Sequence, residues 1–285
     1  MKVITVGGAG YWGQKVTERL KKLKHSILDI SLPDDATYLL PKKIAEFGAD
    51  AVFVLTPPST HFILSKLALE NDCDVFVEKP MTYNAGEAGE LFSLSRAKQL
   101  VLHVDSTFLY TASFQAAKSL VTAHGLKRYS SLRLNNGPFN VPANAAMDLV
   151  VHDVAILFGL GVKIYETAGN LSFDNATCQA HFKFYGSDLN QMGDATVMAC
   201  RSHHKKIRDV NFELFNGERY LWTTGGIWQV KEDGDFNFIK EDEGDALFKS
   251  IIAFTQRCEQ RQWSTGLTDG AHGMMTVKAL EMFSE

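Results

Sequence analysis

Apolar positions follow two different rhythms along this chain. Over the first hundred residues, strand-like runs at 3–6, 26–30, 51–55, 73–77 and 100–104 alternate with helical spacings. The run at 51–55 is continuously apolar, as in a strand buried on both faces of a parallel sheet. Val16, Leu20 and Leu23 share one face of a helix opening at Tyr11, Ser59 caps a helix reaching about Glu70, and Asn84 caps another. Between residues 31 and 50 there is room for one helix only, roughly 38–47, so an element of the first half is trimmed. This is the βαβ rhythm of a doubly wound sheet.

The texture changes after Asp105. Helices at about 112–121 and 147–160 flank a strand near 129–134, and strand-like segments with Gly-, Asn- and Asp-bearing turns occupy 164–239. Two helices, near 245–260 and 270–284, close the chain. The pattern predicts an α/β protein of two domains. Residues 1–105 form a Rossmann-type parallel sheet, and 106–285 an α+β domain on a mostly antiparallel open sheet. A length of 285 residues suits two domains.

Composition narrows the function classes. Hydrophobic content of 45% and charged content of 22% are ordinary for a globular protein. The formal net charge of −4 argues against nucleic acid or an anionic membrane as partner. Four separated cysteines without a Cys-x-x-Cys pair argue against a bound metal or a disulfide framework, and Cys73 and Cys200 read as buried thiols. The first apolar stretch is too short for a signal peptide and no run reaches a membrane span, so a cytoplasmic protein is expected.

Candidate chemistry begins at Gly8-Ala9-Gly10-Tyr11-Trp12-Gly13, a G-x-G-x-x-G loop between strand and helix. Gly8 permits the turn, Gly10 close approach of a pyrophosphate, and Gly13 the packing of helix on strand, with Tyr11 and Trp12 at the helix start. The acid that reads a cofactor ribose is expected about 20 residues on. Ser31 occupies that strand end, with Asp29 inside the strand and no arginine close behind, which favours NAD while leaving NADP open. Thr56, Pro57 and His61 follow the next strand; His61 faces the cofactor or is an exposed first-turn residue. Glu78-Lys79-Pro80 then ends a buried strand at the carboxyl edge, where such sheets place ligands. Asp148 and His152 stand at i, i+4, either as a proton-transfer pair or as a surface ion pair, and Asp153 is an alternative, solvated partner of His152.

Taken in order, the glycine loop, Thr56-Pro57-Pro58-Ser59-Thr60-His61, Glu78-Lys79-Pro80 and Asp148-x-x-x-His152 resemble the glucose–fructose oxidoreductase/inositol dehydrogenase (Gfo/Idh/MocA) family. The segment from Leu267 to Gly273 is similar to that family's ending. The resemblance implies that Lys79 contacts cofactor and substrate, that His152 is the general base, and that Asp148 binds substrate or orients the imidazole. It further implies hydride transfer between a nicotinamide and a hydroxyl or keto carbon of a sugar, cyclitol or nucleotide sugar. Thr107-Phe108-Leu109-Tyr110 looks most like members acting on nucleotide-linked or amino sugars. A homo-oligomer, dimer or tetramer, built on the open sheet face is implied as well, with 196–200 and 220–222 as candidate segments. The trimmed first domain and Ser31 leave a second reading, a catalytically silent dinucleotide-binding sensor on the same fold.

Overall fold

A computed structural model describes residues 1–30, 33–136, 143–172, 174–263 and 266–283, leaving aside the side chains of 33–36. Contacts divide the chain into two units, Met1–Thr107 with Asp245–Lys278, and Phe108–Gly244 with Ala279–Glu285.

The first unit alternates β1 (Lys2–Val6), α1 (Tyr11–Lys22), β2 (Ser26–Ile30), α2 (Pro33–Phe47), β3 (Ala51–Val54), α3 (His61–Glu70), β4 (Asp74–Glu78), α4 (Ala85–Lys98) and β5 (Leu102–Asp105). All pairings are parallel, in the order β2-β1-β3-β4-β5. The strand order reverses between β1 and β3, so the ligand crevice of such a sheet lies beyond the carboxyl ends there. Asn84 caps α4 as expected, its side chain accepting from the Glu87 N–H at 3.1 Å. Ser59 does not cap α3: Pro57 and Pro58 bring the chain into a 3-10 turn, Pro58–Thr60, and the α-helix begins at His61. The helix α2 starts five residues before the expected 38. The strands β4 and β5 each reach one residue beyond expectation, which brings Glu78 and Asp105 into the sheet.

The second unit contains α5 (Ala112–His124), β6 (Leu126–Leu134), a π-helical turn (Ala146–Val150), α6 (Val151–Gly159) and seven further strands. These are β7 (Lys163–Leu171), β8 (Thr177–Tyr185), β9 (Met192–Cys200), β10 (Ile207–Leu214), β11 (Arg219–Thr223), β12 (Gly226–Val230) and β13 (Phe236–Glu241). They form one sheet, β13-β12-β11-β10-β6-β9-β8-β7, antiparallel except for the parallel pair β6–β9. Strict alternation buries one face, as in β8, where Cys178, Ala180, Phe182 and Phe184 point inward. The register partners Leu132 and Met198 are exposed on the other. Cys200, expected to be buried, is only half-buried at the end of β9.

The chain then returns to the first unit as α7 (Ala246–Glu259) and α8 (Gly270–Ala279). The sequence pattern assigned everything after residue 105 to the second domain, and residues 245–278 depart from that. The reason is apolar area: Leu247, Ile251 and Phe254 of α7 join Val3, Val16, Leu20, Phe53 and Phe76 in one core on the α1 face of the parallel sheet. The opposite face packs Ile4, Val52, Val75 and Leu102 against α2, α3 and α4. Among the described residues, no helix is long and apolar enough to cross a membrane.

Candidate active site

The glycine loop is built by contacts inside the first unit. Asp29 on β2 accepts from the Thr5 hydroxyl at 2.8 Å and from the Gly8 N–H at 3.1 Å. A Cβ on Gly8 would lie 2.4 Å from that carboxylate, and one on Gly13 would lie 2.1 Å from the Gly7 carbonyl, so protein atoms already fill both places. Gly10 is different. The nearest atom to its Cβ position is the Gly7 oxygen at 3.4 Å, which leaves a cradle on the loop. Gly10 is also the N-cap of α1, with no side-chain cap and no acidic residue in the first turn. Free N–H groups and the positive helix end beside that cradle fit the pyrophosphate of a dinucleotide.

Tyr11 is 79% exposed at the helix start, where its hydroxyl accepts from Lys15 Nζ at 3.0 Å. The partly buried Trp12 ring packs against the core around Phe53 and Phe76. Ser31, expected to read the ribose, lies outside the described residues.

Beneath the Glu78-Lys79-Pro80 turn is a feature the sequence reading missed. Glu78 ends β4 in register with Asp105 at the end of β5, and Glu78 Oε1 and Asp105 Oδ2 are both sealed from solvent. Burial raises Asp105 to about 7, opposed by hydrogen bonds from Ser250 and Glu78. Burial and the adjacent Asp105 raise Glu78 well above the usual carboxylate range, opposed by the Lys79 charge. Burial thus shifts both carboxyl groups toward their protonated forms. Ser250 of α7 donates to Asp105 Oδ1 at 2.8 Å and lies 3.0 Å from His103 Nε2, which extends the polar chain into the core.

His61 departs from both of its expected placements. It is fully buried, with Nδ1 2.7 Å from the Pro80 carbonyl and Nε2 2.8 Å from the Thr56 carbonyl. Burial lowers its pKa, and the two carbonyls oppose that shift. The ring thus lies between the turn after β4 and the loop after β3, and as a neutral imidazole it donates to one of the two carbonyls. Thr56 is buried in that loop and accepts from the Thr60 hydroxyl at 2.6 Å, while Pro57 is exposed.

In the second unit, Asp148 sits in the π-helical turn and His152 in the first turn of α6. Such turns recur at functional sites because they re-aim side chains within a helix. Asp148 pairs with Arg201 Nε at 3.2 Å. The His152 ring meets Phe108 edge-on, centroids 5.0 Å apart. Asp153 is not the solvated partner considered for His152. It is fully buried, bonded to Arg133 and accepting from the Tyr129 hydroxyl at 2.6 Å, so it anchors α6 to β6.

Residues 15–106 match the GFO_IDH_MocA family, described as an oxidoreductase family with an NAD-binding Rossmann fold. Over those residues the chain is similar to this family. A UDP-N-acetylglucosamine 3-dehydrogenase from Acidithiobacillus ferrooxidans is 29% identical over 113 residues, 37% of this chain and 34% of that protein. A dTDP-3,4-didehydro-2,6-dideoxy-alpha-D-glucose 3-reductase from Streptomyces violaceoruber is 29% identical over 100 residues, 35% of this chain and 28% of that one. The matched segment thus spans about a third of these relatives' length.

The fold likeness runs the whole length. The solved Acidithiobacillus ferrooxidans enzyme superposes with a TM-score of 0.77 at 18% identity, covering 100% of this chain and 99% of that one. A 3-ketoreductase from Actinomadura kijaniata, solved with NADP, gives 0.73 at 15% identity over 97% and 94%. The candidates Lys79, Asp148 and His152 stand in short sequence motifs. Their neighbours Asp105, His61, Arg201 and Phe108 became apparent only through strand register and packing.

Proposed function

We propose that the protein is a nicotinamide-dependent oxidoreductase acting on a CH–OH carbon of a sugar-like substrate, with nucleotide sugars the favoured class. The observation that carries this reading is Lys79 at the carboxyl end of β4, on the sheet edge that also carries the Gly10 cradle. When bound, the nicotinamide supplies the hydride acceptor or donor. Lys79 holds the reacting oxygen through its ammonium. In the oxidative direction, an imidazole nitrogen of His152 takes the hydroxyl proton and returns it in the reductive one. Asp148, fixed by Arg201, binds substrate or orients His152. The relatives' named substrates support the nucleotide-sugar class.

Lys79→Ala tests the reading. Turnover is expected to fall by about 10²–10⁴-fold while dinucleotides still raise the melting temperature. Unchanged turnover would remove Lys79 from the mechanism. Dinucleotide binding without any nicotinamide absorbance change, across polyols, sugars and nucleotide sugars, would favour a sensor. A homo-oligomer on the outward sheet face, where Leu132 and Met198 are exposed, completes the proposal, and light scattering of the purified chain decides it.

A further inference from the structure

The second unit carries an electrostatic arrangement that folding alone does not favour. Arg208 on β10 stands directly opposite Arg133 on β6 in the antiparallel register. Like charges in that position destabilise a sheet. Both guanidinium groups lie against one ring, 4.7 Å and 5.3 Å from the Phe108 centroid. Their charges are handled differently. Arg133 is 3% exposed and bonded to Asp153, which cancels it. Arg208 is half-buried, repelled by Arg133, and attracted by Asp148, which already serves Arg201. Arg208 thus competes with Arg201 for Asp148.

The two facing arginines and Phe108 line a cavity of about 260 Å3 with Thr111, Trp222 and Thr223. Asp242 borders it too, but its Oδ1 accepts from the Ser113 N–H at 2.7 Å in the first turn of α5. The helix end thus offsets that negative charge. Phe108 also meets His152, so the cavity and the candidate base share that ring as a neighbour.

We propose that Arg208 is a specificity residue that receives an oxyanion, carboxylate or phosphate, borne by the substrate near its reacting hydroxyl. A guanidinium fork suits either group bidentately, and the Phe108 ring packs against it. The proposal rests on the oxidoreductase reading for the role of His152, but anion recognition is measurable without turnover.

Calorimetry on the full chain, with NAD present, compares glucose with glucuronate, glucose 6-phosphate and UDP-glucose. At least one anionic sugar is expected to bind about tenfold or more tightly than glucose, and the tightest arm identifies carboxylate, monoester or diphosphate as the source. Arg208→Gln is expected to reduce that ratio to within about threefold, and Arg208→Lys to restore part of it, since charge returns without the fork. The melting temperature of Arg208→Gln without ligand should hold or rise, because a like-charge contact is relieved. Equal wild-type affinity for neutral and anionic sugars, an undiminished ratio in Arg208→Gln, or a fall in its melting temperature would each overturn the assignment. Failure of NAD to bind at all would instead count against the oxidoreductase reading, leaving the anion comparison to be made without it.

Discussion

Two carboxyl groups side by side at the ends of β4 and β5 give the first unit a definite pH response. An unfolded Asp titrates near about 3.9, whereas folded Asp105 is raised to about 7. Between those values the folded chain holds a proton that the unfolded chain has released. Stability therefore falls as pH rises through that window, and Glu78, raised further, extends the fall upward. Asp105→Asn keeps an acceptor for Ser250 and removes one titration. Its melting temperature should decline less between pH 5 and 8, and a curve parallel to wild type would show that the pair is not the source. Lys79 was legible because Glu-Lys-Pro is a contiguous motif, but this pair beneath it was not. Apolar runs ended the strands at residues 77 and 104, which left Glu78 and Asp105 as loop residues. Arg208 was hidden for a similar reason, since its partner lies across a register no local pattern specifies.

At the scale of elements, strand–loop–helix order was read correctly wherever periodicity was long, and its boundaries moved where prolines or a π turn intervened. Pro57 and Pro58 delayed α3, and the helix expected from 147 begins as a π-helical turn. The junction of β1 with α1 is the element most open to test, because its glycines differ in kind. Gly13→Ala drives a methyl into the Gly7 carbonyl, so α1 must shift, and a loss above about 2 kcal/mol is expected, comparable to overpacking a core. Gly10→Ala meets only that oxygen at 3.4 Å, and stability should change by no more than about 1 kcal/mol, the cost of a poorer N-cap. Its dinucleotide-induced melting shift should nonetheless shrink sharply, because the methyl occupies the cradle. A full ligand shift in Gly10→Ala would place the pyrophosphate elsewhere.

At the scale of the molecule, the first unit is discontinuous: the chain leaves it at Thr107 and returns at Asp245. Helical spacing near 245–260 was visible in the sequence, but an amphipathic stripe does not say which core it covers, and proximity in sequence suggested the wrong one. The consequence is thermodynamic. Phe254 is fully buried and packs edge-on to Phe53 and Phe76, with centroids 5.2 Å and 5.6 Å away. Phe254→Ala should cost about 3–5 kcal/mol, the range for deleting a buried aromatic ring. That loss should appear in the transition that dinucleotide binding protects, since α7 also supplies Ser250 to the carboxyl pair below Lys79. Denaturant unfolding with and without dinucleotide separates the alternatives. If Phe254→Ala lowered only a transition indifferent to the dinucleotide, α7 would stabilise the second unit, and the carboxyl pair would be held by β4 and β5 alone.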